Sequence, residues 1–83
     1  MAKRKSIELP EEIIPVMKAI GLKIAEFRKQ SHPNYRDYAK ERKINVMTFW
    51  RLQNGEDIKM STFIQILKKM DVTPEDFFKG IKW

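Results

Sequence analysis

Apolar residues recur along this chain at spacings of three and four, interrupted by short polar runs. That is the period of helices that each bury one face. Ile13, Val16, Met17, Ile20, Ile24 and Phe27 form the first stripe, with Lys18, Lys23, Glu26 and Lys29 lying off it. Pro15 leaves two starts open, because proline is comfortable in a first turn and costly further inside. Either the helix begins near Pro15, or an earlier turn from Pro10 is kinked there. Ser31-His32-Pro33 has loop composition and ends the helix near Gln30.

Four further helices follow from stop and start signals. Asn34 is a candidate N-cap with Asp37 at the capping-box position, and a short helix over 35–42 would turn Tyr38 and Ala39 inward. Lys43-Ile44 makes a turn, and Asn45 caps a third helix over 46–53. Asn54-Gly55 stops it, glycine suiting the left-handed position after a helix. Residues 56–60 read as a loop, and Ser61 caps a fourth helix whose inward face is Phe63 or Ile64, Ile66, Leu67 and Met70. Thr73-Pro74-Glu75-Asp76 supplies an N-cap, a proline at the first helical position and acids in the first turn. The last helix, 74–79, carries Phe77 and Phe78 and ends at Gly80. The pattern predicts an all-α, compact bundle of about five short helices containing a helix-turn-helix unit in residues 34–53. Residues 1–9 lack periodicity and read as a flexible basic arm; residues 10–83 form one domain, all that 83 residues accommodate.

The third helix is the informative one. On a wheel, Thr48, Phe49, Leu52 and Gln53 share one half, while Val46, Met47, Trp50 and Arg51 share the other. Phe49 and Leu52 are the natural core face. An outward Val-Met-Trp surface on a short helix calls for a partner. A protruding helix fits the major groove of B-DNA, where Arg51 would bind guanine bidentately and Val46 and Met47 would pack on thymine methyl groups.

Charge agrees with this. The chain has a formal net charge of +6 and a pI of about 9.7, a balance that favours polyanions. It contains no cysteine, which removes disulfides, thiolate zinc sites and cysteine nucleophiles and fits a reducing cytoplasm. No apolar run approaches the roughly 20 residues of a membrane span, and residues 6–10 are no signal-peptide core, so a cytoplasmic protein is expected. There is no Gly-rich phosphate loop, no His/Asp/Ser set and no metal-ligand spacing, so neither catalysis nor a cofactor is expected. Glu11-Glu12 and Glu75-Asp76 suit helix N-termini. His32 stands alone beside Pro33 and reads as solvated.

One ordered set of residues resembles a known family. Gly21, Ile24, Phe27 and Arg28 come first, then Ala39, then Ile44 at the turn. Phe49-Trp50-Arg51-Leu52-Gln53-Asn54-Gly55 and the closing Val72-Thr73-Pro74-Glu75-Asp76-Phe77-Phe78 complete it. The set, over about residues 20–79, resembles the phage-repressor-like (Cro/cI, Xre) helix-turn-helix DNA-binding family. The resemblance implies a lambda-repressor-like fold, with positions 46, 47 and 51 reading bases. It implies phosphate contacts for Asn34 and Tyr35 at the start of the second helix, and for Asn54 and Lys59 after the third, with Thr48 and Trp50 at the periphery. The sequence departs from the family at four places. Lys43 stands where glycine is usual and needs a left-handed conformation costing about 1 kcal/mol. Arg28 faces Gln53 instead of a glutamate. Tyr35 replaces a common glutamine. Glu56 and Asp57 would repel phosphate from the loop.

Several residues keep two readings. Trp50 either packs on the sugar-phosphate backbone or folds back over Tyr38. Tyr35 either touches phosphate or only covers the first loop. Lys3-Arg4-Lys5 either enters a minor groove or solubilises the chain. Phe77 or Phe78 closes the core, and the surplus of Phe78, Ile81 and Trp83 implies a second surface, a dimer contact. The function expected is a bacterial or phage-like transcriptional regulator. It would bind double-stranded DNA at a palindromic operator as a homodimer, with no sensor domain, and would be nucleoid-associated. The alternative is an antitoxin or adaptor module that binds a protein partner, a role suited to the Glu56-Asp57 loop and the apolar tail. Structured RNA fits less well, because the A-form major groove is too narrow for this helix.

Overall fold

The computed structural model describes residues 9–81; Lys3, Arg4, Lys5 and Trp83 lie outside them. Five helices follow in order: α1 (Ile14–Lys29), α2 (Tyr35–Glu41), α3 (Val46–Gln53), α4 (Met60–Met70) and α5 (Pro74–Phe78). The described residues form an all-α bundle. None of their helices is long and apolar enough to cross a membrane.

Pro15 falls in the first turn of α1, where its missing N–H would have had no helical partner. This selects the start near Pro15 over a kinked earlier helix. The caps at Asn34, Asn45 and Thr73 form as the sequence predicts. Asn34 Oδ1 accepts from the N–H of Arg36 (2.7 Å) and Asp37 (3.3 Å), Asn45 Oδ1 from Thr48 (2.9 Å), and Thr73 Oγ1 from Asp76 (3.1 Å). The fourth start differs. Ser61 caps nothing: α4 begins two residues earlier than a Ser61 cap would start it, with Lys59 at the N-cap position and its C=O accepting from Phe63 N–H at 2.9 Å.

Three helices end the same way. After α2, α3 and α4 the chain passes through a left-handed residue: Lys43 (φ 60°), Gly55 (φ 80°) and Asp71 (φ 64°). The next N–H then returns to a carbonyl in the last turn, Ile44 to Ala39, Glu56 to Arg51 and Val72 to Leu67, at 2.8–3.0 Å. These bonds satisfy carbonyls that a helix end leaves open. Lys43 bears the expected strain, and its carbonyl accepts from Lys69 Nζ at 2.7 Å.

The core gathers Ile24, Tyr38, Ala39, Ile44, Phe49 and Leu52 with Phe63, Ile66, Leu67, Met70, Phe77 and Ile81. Aromatic rings join its parts: Tyr38 stacks on Phe49 at 5.5 Å, and Phe77 meets Phe63 edge-on at 5.5 Å. Burial pushes the Tyr38 phenol pKa up, and Arg42, 5.1 Å from the ring, works against that. Ile81 corrects the expectation of an apolar surplus, because it belongs to the core. Phe78 is half-buried against Phe63 and Phe77.

Candidate nucleic-acid interface

α3 is held against α1 and α2 by its inner face. Phe49 is fully buried and Leu52 nearly so. Gly21 of α1 lies against the end of α3 so closely that an added Cβ would sit 2.3 Å from the Gln53 carbonyl oxygen. Arg28, itself buried, pins the same point. Its Nε and Nη2 donate to Gln53 Oε1 at 3.1 and 2.9 Å, and its Nη1 donates to the carbonyls of Pro33 (2.7 Å) and His32 (3.2 Å). The expected Arg28–Gln53 pair is therefore present. The guanidinium also ties the loop between α1 and α2 to the end of α3.

The outward face is narrower than the wheel suggests. Met47 is 57% exposed and Trp50 39%, and Arg51 is exposed beside them. Asn54 continues this stripe one turn on; its Nδ2 donates to the Trp50 carbonyl at 2.7 Å. Val46 departs from expectation: it is half-buried and packed on the core, because it lies one turn before Phe49 and shares its side of the helix. Thr48 is also half-buried and flanks the stripe toward α4. Trp50 is not stacked on Tyr38, whose ring partners are Phe49, His32 and Arg42.

Arg51 is not free of neighbours. Its Nε lies 4.0 Å from Glu56 Oε1, and Glu56 N–H donates to the Arg51 carbonyl at 3.0 Å. The carboxylate thus lies beside the guanidinium at the outer edge of ion-pair distance. Lys59 is exposed at the start of α4. At the start of α2, Asn34 already satisfies two backbone N–H groups, which narrows the expected phosphate contact to the Tyr35 N–H and to side chains. Arg36, which sequence reasoning passed over, lies over the Tyr35 ring at 5.8 Å, with Nε 3.5 Å from its hydroxyl. That hydroxyl raises the Arg36 pKa further, so the cation persists at any working pH. The signal was available: an aromatic and then a basic residue follow the capping asparagine.

His32 is not the solvated side chain expected from its loop. Ser31 Oγ lies 2.7 Å from Nδ1, Glu41 Oε1 lies 2.6 Å from Nε2, and the ring meets Tyr38 edge-on at 5.4 Å. A Ser-His-Glu line that the sequence did not reveal is therefore present. The backbone N–H groups of Ser31 and His32 are spent on the Arg28 carbonyl, at 3.1 and 2.9 Å. Neither N–H is left over for a ligand beside this Ser-His-Glu line. Its visible effect is to brace the α1–α2 loop against the end of α2.

No protein-family model, curated protein or solved structure matches the chain.

Proposed function

We propose that the chain is a sequence-specific double-stranded DNA-binding transcriptional regulator that reads the major groove with α3. One observation carries this reading. α3 is locked on its inner face by Phe49, Leu52 and the Gly21 and Arg28 contacts, yet presents Met47, Trp50 and Arg51 outward. Apolar and arginine side chains left exposed on a rigid helix in a chain of net charge +6 suit base edges and phosphates together. Met47 and Arg51 are the base-reading pair, with Val46 at its margin, and Trp50 and Asn54 flank them toward the backbone. The family resemblance supports the same assignment. On this reading the protein works in a bacterial cytoplasm. A helix this short covers few base pairs, so useful specificity implies a homodimer on two half-sites about one helical turn apart.

Selection of bound sites from a random duplex library tests the proposal. The expected result is a palindromic site with an enriched core. Failure to enrich any sequence over a scrambled control overturns it.

A second reading has its own observation. Met17, Ile20, Ile58, Met60 and Phe78 line an apolar cleft of about 140 Å³ with Glu56 and Asp57 at its edge. Met60 is 70% exposed there. Such a cleft suits an apolar, basic segment of a protein partner, as an antitoxin or adaptor would need. Recovery of a stoichiometric protein partner from the native host, with no enriched duplex, favours this reading.

A further inference from the structure

α4 turns a polar stripe toward the start of α3. Thr62, Gln65 and Lys69 recur at spacings of three and four, so they lie on one face. With Asn45 and Thr48 they line a notch of about 120 Å³, floored by Ile44 and Ile66. Every polar side chain in this lining can donate a hydrogen bond, and none is a carboxylate. Much of that capacity is unspent. Thr62 and Gln65 make no side-chain hydrogen bond among the described residues. Asn45 uses Oδ1 as the α3 cap, which leaves its Nδ2 to donate. Lys69 gives one of its three protons to the Lys43 carbonyl.

We propose that this notch seats a phosphate of the DNA backbone, clamping α3 on the flank opposite Trp50. The proposal rests on the DNA-reading function and adds a contact to it. Phosphate oxygens need several convergent donors and a nearby cation, and the notch offers hydroxyls, amides and one ammonium from α3 and α4 together. The loop after α3, where backbone contacts are expected from the resemblance, instead carries Glu56 and Asp57. The face of α4 thus adds an anion seat to the contacts of Asn54 and Lys59 beside that acidic loop. Thr48, half-buried on the inner side of the wheel, becomes the link between base-reading stripe and phosphate seat.

The test uses the full chain, the selected duplex and a scrambled duplex at several salt concentrations. Gln65→Glu places a carboxylate in the notch and should weaken both duplexes by the same factor, tenfold or more at low salt. Lys69→Met should lower the salt slope by about one unit. Thr62→Val, which keeps the shape and removes the hydroxyl, should cost a few-fold on both. Thermal melts of each variant separate lost contact from lost fold. Replacing single backbone phosphates by methylphosphonates locates the contact: at one position per half-site the wild-type protein should lose affinity while Gln65→Glu does not. Wild-type binding to the selected duplex, with folded Gln65→Glu and Thr62→Val binding equally well and Lys69→Met keeping the slope, overturns the phosphate seat alone. A wild-type protein that selects no duplex overturns the DNA-reading function and the seat with it.

Discussion

The two faces of α3 are built on opposite principles. The inner face is closed: Phe49 has no exposed surface, Leu52 almost none, and the last turn is clamped between Gly21 and the Arg28 guanidinium. The outer face carries Met47 and Arg51, both mostly in solvent with Glu56 beside Arg51, and Trp50, of which 39% stays exposed. The inner face decides whether the helix exists in this position. Met47 and Arg51 contribute little to that, and so are free to be shaped by what they meet. Substitutions on the two faces should therefore separate cleanly in stability and in binding.

The largest effect is expected inside. Phe49→Ala should cost about 3–5 kcal/mol, through lost burial and the cavity left beside Tyr38. In a domain this small that is a large part of the total. Urea unfolding would measure it, and an unchanged midpoint would break the contrast at its root.

Gly21→Ala comes next. Its new methyl would meet the rigid Gln53 backbone, so the cost should be about 1–3 kcal/mol even though alanine is the better helix former. A variant more stable than the wild type would mean that the α1–α3 seam relaxes readily.

On the outer face, Arg51→Ala should leave the melting temperature unchanged. It should cost about 1–3 kcal/mol on the selected duplex and relax preference at one base pair per half-site. Equal losses on selected and scrambled duplexes would make Arg51 a phosphate contact.

Gln53→Glu sharpens the inner side. Arg28 is buried with only neutral acceptors, so a charged acceptor at the same distance should stabilise the fold by about 1 kcal/mol. A lowered melting temperature would show that burying the new carboxylate costs more than the pairing returns.

The smallest effect is expected from Lys59→Ala. Lys59 is exposed at the start of α4, and its loss should weaken all duplexes equally and reduce the salt slope by about one unit. Titration of both duplexes across salt concentrations checks this, and a sequence-dependent loss would assign Lys59 to base reading.

Much of the fold and part of the candidate site could be read from residues alone. The caps at Asn34, Asn45 and Thr73 work within three residues of themselves, and so the sequence around each is sufficient to define it. The same holds for Pro15 in the first turn, for Gly55 after α3, and for Phe49 and Leu52 as the inner pair. Periodicity also left Met47, Trp50 and Arg51 outward. These are local properties of chain and period, and local chemistry determined them.

What stood across from each residue was decided only by the tertiary structure. Lys43 and Asp71 take the same left-handed turn as Gly55 without being glycine, because the returning N–H bonds and, at Lys43, the distant Lys69 ammonium favour it. α4 starts at Met60, ahead of the serine that resembles a cap. Ile81 enters the core instead of forming a surplus, and His32 finds Ser31 and Glu41. The wheel for α3 separates two halves, but Val46 and Thr48 lie near its boundary. Their side was settled by where the core and α4 happen to pass. The polar notch joins residues about twenty positions apart. Its donors come together only because α4 passes the start of α3, and a short-range period carries no record of that packing.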